Sequence, residues 1–199
     1  MLALAFVRAL WSDSLAGLVL DMPNDRSLHD RPTPRTGGIG LMLAVALTLL
    51  ACACGPRSIV IPAVLLAAVF LIDDVRGLSV LPRFLAQFGG AIWFLAATGP
   101  YGLLLFPLLV LGIVWSANLY NFMDGSNGLA GGMAVIGFAS YAIAAAWADD
   151  TELALLSIIV AGAAAGFLVW NFDPARIFLG DAGSIPLGFL AATIGVLGW

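Results

Sequence analysis

The chain has 199 residues, of which 62% are hydrophobic and 10% charged, with 12 Asp or Glu, 8 Arg and no Lys. A soluble domain has about 45–50% apolar and about 25% charged residues, and a water-soluble globule of this length cannot hide so much apolar surface behind so few charges. The mean hydropathy of +1.05 agrees, so an integral membrane protein is expected. A net charge of −4 without Lys argues against nucleic-acid binding and excludes a lysine-dependent phosphate loop or Schiff-base enzyme.

In chain order, residues 2–20 form a poor candidate span, broken by Arg8, Ser12, Asp13 and Ser14. With no basic start before Arg8, it is not expected to be a cleavable signal peptide. Apolar runs then follow at 39–54, 58–72, 85–99, 102–122, 129–147, 153–170 and 184–199. A span takes about 20 mainly apolar residues. The reading is all-α: a polytopic transmembrane helix bundle of about seven spans plus a partial N-terminal one. It forms a single domain over 1–199, expected to be incomplete at both ends. Cys52 and Cys54, inside the first full run, suggest neither a disulfide framework nor a zinc site.

With alternating crossings, the polar islands at 21–38, 73–84, 121–128 and 171–183 share one face. They carry Arg26, Arg31, Arg35, Arg76, Arg83 and Arg176, against Arg57 and the acidic Asp149, Asp150 and Glu152 opposite. The positive-inside rule puts the arginine-rich face in the cytoplasm. Asp73, Asp74, Asp124 and Asp181 fall on that same face. Acids can simply cap helices at the interface, but carboxylates near membrane depth are costly and tend to be functional. Together they suggest a bound hard cation, and magnesium fits Asp and Asn oxygens with substrate phosphates completing its shell. Gly125, Gly128, Gly131, Gly132, Gly180 and Gly183 would let backbone amides approach phosphate oxygens. Glycines also pack transmembrane helices. The combined chemistry is metal-assisted phosphoryl transfer at the membrane surface.

Four ordered motifs carry a resemblance. The first runs from Asp21 through Arg26 and His29 to Pro32, Thr33, Pro34, Arg35, Gly37 and Gly38. The second is Asp73-Asp74-Val75-Arg76-Gly77-Leu78 with Gln87 beyond it. The third extends from Asn118 and Asn121 through Asp124-Gly125-Ser126-Asn127-Gly128 to Gly131. The fourth contains Asn171, Asp173, Arg176, Phe178, Gly180, Asp181 and Gly183. Their order and spacing over about 21–190 resemble the polyprenyl-phosphate N-acetylhexosamine-1-phosphate transferases, a superfamily that includes phospho-N-acetylmuramoyl-pentapeptide transferase.

The resemblance implies transfer of a sugar-1-phosphate from a UDP-N-acetylhexosamine to undecaprenyl phosphate, releasing UMP, with Mg2+ as cofactor. It implies catalytic roles for Asp73, Asp74 and Asp124, with Asp73 deprotonating the lipid phosphate. It also implies a magnesium site at Asp181 and Asn121, and a nucleotide site at Asn171 and Phe178. The setting implied is the bacterial inner membrane, multi-pass, with the site facing the cytoplasm and membrane lipid as partner. A homodimer is compatible with it. Pro32-Thr33-Pro34-Arg35 leans toward the N-acetylglucosamine and O-antigen-initiating branch.

Three departures stand out. Asn127 occupies a position where many relatives carry a second aspartate. By the resemblance, the family's first transmembrane helix is expected to be mostly missing from this sequence. The sequence ends before the family's last cytoplasmic loop with its histidine and arginine, and His29 is no match for that loop. An inactive fragment or binding subunit is therefore an alternative reading. A transporter is a weaker one, because transporter sites lie near the bilayer midplane on broken helices.

Overall fold

A computed structural model describes residues 2, 3, 5, 6, 20, 21 and 32–198. Among them are seven helices: α1 (Gly37–Cys52), α2 (Arg57–Arg76), α3 (Val80–Thr98), α4 (Leu105–Asp124), α5 (Leu129–Trp147), α6 (Thr151–Asn171) and α7 (Asp181–Leu197). The two-residue strands β1 (Leu20–Asp21) and β2 (Thr33–Pro34) pair antiparallel, Leu20 with Pro34 and Asp21 with Thr33. The chain is thus a helix bundle. Five helices, α2 to α6, are long and apolar enough to cross a membrane, whereas α1 and α7 are shorter apolar helices. His29, Arg26 and Arg31 lie outside the described residues.

The outside of the bundle is as apolar as its core. Leu65, Leu85, Trp115, Ile136 and Val169 are all more than half exposed, on five different helices. A soluble monomer rarely exposes large contiguous apolar patches, so this outer face belongs against lipid. In lipid, helices associate through close packing and hydrogen bonds rather than hydrophobic transfer. The sequence provides for both.

Helix α7 is the hub: residues 182–190 are buried without interruption. It packs against α2 and α4 and also touches α1, while α5 and α6 form a tight hairpin beside it. A helix apolar on every side is a core helix. Its glycines let neighbours come close. A Cβ on Gly38 of α1 would collide with the backbone of Gly183, and one on Gly188 would meet Ser116 O at 2.5 Å and Ala117 Cα at 2.6 Å on α4. Ser116 Oγ uses that proximity to donate to Gly188 O at 2.9 Å.

Helix boundaries follow local chemistry. Gly77 ends α2 at φ 65, its amide donating to Asp73 O, a left-handed position where glycine carries no Cβ penalty. Asp150 caps α6 by accepting from Leu153 N at 2.9 Å. Helix α3 begins at Val80, earlier than the apolar run at 85, because Pro82 is tolerated in a first turn where its missing N–H has no helical partner.

Candidate active site

Asp73 and Asp74 sit in the last turn of α2, Asp124 is the last residue of α4, and Asp181 is the first of α7. A carboxylate at a helix C-terminus opposes the helix dipole. Simple capping therefore does not explain three of the four, and each has a specific partner elsewhere.

Two of them hold backbone. Asp124, 6% exposed, accepts from Leu179 N at 2.9 Å through Oδ1 and from Gly180 N at 2.8 Å through Oδ2. Asp74 accepts from Asp181 N at 3.0 Å and from Ala182 N at 2.9 Å, one with each oxygen. These last two amides open α7, and the first N–H groups of a helix have no partner within it. Asp74 thus caps a helix lying 107 residues further along the chain.

The remaining bonds of the 177–182 segment are equally committed. Phe178 N donates to Pro34 O at 2.8 Å, while Phe178 O and Leu179 O accept from Gly37 N and Gly38 N, both at 2.9 Å. Asn171 Nδ2 donates to Ile177 O at 3.0 Å, and its Oδ1 accepts from Gly128 N at 3.1 Å. Residues from all four sequence motifs therefore converge on one short segment, at one end of the bundle. The crossing parity read from the sequence is borne out in this respect.

The amides of Gly180, Gly183 and Gly128 were expected to meet phosphate, but they are bonded to Asp124, Gly180 O and Asn171 respectively. Their glycines serve close packing and turns: Gly180 has φ 70, and a Cβ there would collide with Arg35 O. Asn171 and Phe178, expected at a nucleotide, are both buried, at 0% and 1% exposure. The Asn171 amide is used at both ends to hold backbone.

Asp73 and Asp181 are arranged differently. Asp73 Oδ1 accepts from Leu78 N at 2.7 Å, fixing the turn after α2. Its Oδ2 lies 2.9 Å from Arg83 Nε. That N–H is not aimed at it, so the buried oxygen has a counter-charge but no hydrogen bond. Arg83 Nη2 donates to Asp181 Oδ2 at 3.0 Å, and Asn121 Nδ2 donates to Asp181 Oδ1 at 2.9 Å. Arg83 thus joins Asp73 to Asp181, and Asn121 holds the other oxygen of Asp181. Arg35 interacts electrostatically with Asp74, Asp124 and Asp181.

Arg83 was read from the sequence only as a topological charge. The signal for more was available: a cation in the first turn of a helix stands against the dipole, and this one follows two adjacent aspartates. Gln87, one turn further along α3 and 3% exposed, accepts from Asn118 Nδ2 at 2.6 Å and ties α3 to α4.

Among the described residues, no three His, Cys, Asp or Glu side chains form a metal-binding group. The set present is two carboxylates and one amide, all able to offer oxygen. One of those oxygens, Asp73 Oδ2, is buried without a hydrogen bond. That set fits magnesium, which takes one or two carboxylates and leaves the rest of its shell to water and phosphate. Beside Asp74 an apolar cleft opens between α1 and α2, lined by Ile39, Met42, Leu43, Ala67, Leu71 and Ala182.

Fold and site together define a polytopic membrane protein whose carboxylates gather at one polar end. Residues 56–198 match glycosyl transferase family 4, and the chain belongs to that family. Over 197 residues it is 34% identical to a Bacillus subtilis (strain 168) protein named "Probable undecaprenyl-phosphate N-acetylglucosaminyl 1-phosphate transferase", covering 90% of this chain and 55% of that one. Over 205 residues it is 31% identical to a phospho-N-acetylmuramoyl-pentapeptide-transferase of Staphylococcus aureus (strain JH9), covering 83% of this chain and 62% of that one. The chain therefore spans less than two thirds of the length of these curated relatives.

Proposed function

We propose that the protein transfers a sugar-1-phosphate of the N-acetylhexosamine type from a UDP-sugar to undecaprenyl phosphate, releasing UMP, at the cytoplasmic face of the bacterial inner membrane. The observation that carries this reading is the joining of Asp73 and Asp181 by one arginine, with Asn121 bonded to Asp181, at the polar end of an apolar bundle. Membership in glycosyl transferase family 4 supports it. So do the names of the two relatives, one an undecaprenyl-phosphate N-acetylglucosaminyl 1-phosphate transferase.

The chemistry follows from the residues. A phosphate oxygen of the lipid attacks the β-phosphorus of the donor; the new P–O bond forms as the bond to UMP breaks. Asp73, which is buried, is the group we assign to taking the proton from the lipid phosphate, on Oδ1, which has a lone pair left beside its bond from Leu78 N. Asp181, Asp73 and Asn121 would hold Mg2+, which when bound neutralises charge on the transferring phosphoryl group. Asp74 and Asp124 act as positioning residues, fixing the start of α7 and hence Asp181. The apolar cleft beside Asp74 suits the chain of a polyprenyl acceptor. The carboxylates' position at helix ends, away from the bilayer midplane, speaks against the transporter reading.

The test is UMP release from UDP-N-acetylglucosamine by protein in lipid nanodiscs. Release is expected only when both undecaprenyl phosphate and Mg2+ are present. UMP release that is indifferent to undecaprenyl phosphate, or absent with every UDP-N-acetylhexosamine tried, would overturn the assignment.

A further inference from the structure

The guanidinium of Arg83 stands where two carboxylates from different helices face each other. It contacts Asp73 Oδ2 at 2.9 Å and Asp181 Oδ2 at 3.0 Å. The two contacts are unequal. Only the one to Asp181 is a hydrogen bond, and Asp73 Oδ2, on a side chain 5% exposed, is left with charge alone. A buried carboxylate oxygen without a hydrogen bond is costly, and here it is aimed at the point the two acids share.

Arg83 is itself within reach of solvent. Its side chain is 35% exposed, and it lies in the first turn of α3, where the helix field disfavours a cation. An arginine near a helix end can swing its head to the headgroup zone while its stem stays on apolar surface. A divalent cation at the same oxygens would be within about 4 Å of the guanidinium, a strongly repulsive approach even at interfacial dielectric. The two cannot share the place.

We propose that Arg83 is an internal counter-ion: it occupies the Asp73–Asp181 pair when no divalent cation is bound, and the cation must displace it. Arg83 and the cation compete for the same two oxygens. The inference rests on the reading above that a divalent cation serves this pair. It adds a residue that sets how tightly that cation is held and that is freed, as a mobile positive charge, when it binds.

The experiment uses Mn2+ alone, titrated by electron paramagnetic resonance into the protein in phosphatidylcholine nanodiscs, without substrates. A single neighbouring charge shifts an ionic equilibrium by about ten- to a thousandfold. Arg83→Gln should therefore bind Mn2+ at least about tenfold more tightly than the wild type, and Asp181→Asn more weakly. Arg83→Lys, whose one ammonium cannot span both oxygens, should fall between, and it carries the comparison if the Gln variant does not fold. In the wild type, phenylglyoxal labelling of Arg83, followed by mass spectrometry, should rise with Mg2+ but not with Na+ at equal ionic strength. Wild-type binding of Mn2+ with no gain in either Arg83 variant would overturn the counter-ion while leaving the transferase reading intact. No Mn2+ binding by any of these proteins at millimolar concentration would also overturn the counter-ion, while UMP release in the assay above decides the transferase reading separately.

Discussion

Asp124 and Gly180 are joined by a 2.8 Å hydrogen bond across 56 residues of sequence, carboxylate oxygen to backbone amide. The second oxygen of Asp124 takes the neighbouring amide of Leu179 at 2.9 Å. The pair defines the acid as a clamp. In Asp124→Asn, one oxygen becomes an NH2 group facing an N–H, so one buried amide loses its acceptor. The expected loss of stability is about 1–3 kcal/mol, read as a lower melting temperature in detergent, with activity falling in parallel. A variant that melts like the wild type yet is inactive would instead assign Asp124 to the chemistry.

Gly180→Ala tests the other partner. At φ 70 a Cβ is strained, and it would run into Arg35 O with Asp74 Oδ2 only 3.0 Å away. Backbone cannot yield as a flexible side chain can. The variant is expected to melt lower and to lose UMP release, and an Ala variant as stable as the wild type would show that the segment is not clamped as described.

Asp73→Asn should behave in the opposite way to Asp124→Asn. The amide oxygen can still accept from Leu78 N, so the turn after α2 survives. Basicity and charge are lost, and removal of a general base costs about 10²–10⁴-fold in rate. Insertion and melting should change little while UMP release collapses; retention of near-normal turnover would take Asp73 out of the proposed mechanism.

Asn127 donates to Asp173 Oδ1 at 2.7 Å in an exposed pair. Replacing the donor by a carboxylate sets two like charges together. Asn127→Asp should lower stability by less than about 1 kcal/mol, the scale of exposed charge pairs. The loss should shrink as salt is raised and be reversed by adding Asp173→Asn. An Asn127→Asp chain with unchanged melting at low salt would remove the significance of this departure from relatives.

Much of this architecture was legible in the sequence. The run 129–147 coincides with its helix and the others differ only at their ends, most at 85–99, which starts late because Pro82 and Arg83 read as loop. Crossing parity correctly gathered Asp73, Asp74, Asp124 and Asp181 at one end. What it could not give is partnership. That Asp74 caps α7 and Asp124 holds Gly180 are bonds between distant residues, which periodicity does not report. The resemblance set Phe178 and Asn171 at a nucleotide, and nothing local signals that 177–180 is docked against Pro34 and α1. Arg83 was hidden by its own usefulness as an orientation marker.

The saturation of residues 178–182 limits where motion can occur. Every amide there is already engaged, so releasing the segment would break contacts to α1, α2 and α4 at once. Its amide protons should exchange with solvent only in the rarest openings of the molecule. Any motion at this site must then come from side chains and from whatever approaches this fixed ledge, not from a closing of the ledge itself. In the proposed reaction, donor and acceptor would have to find each other against a surface that does not yield.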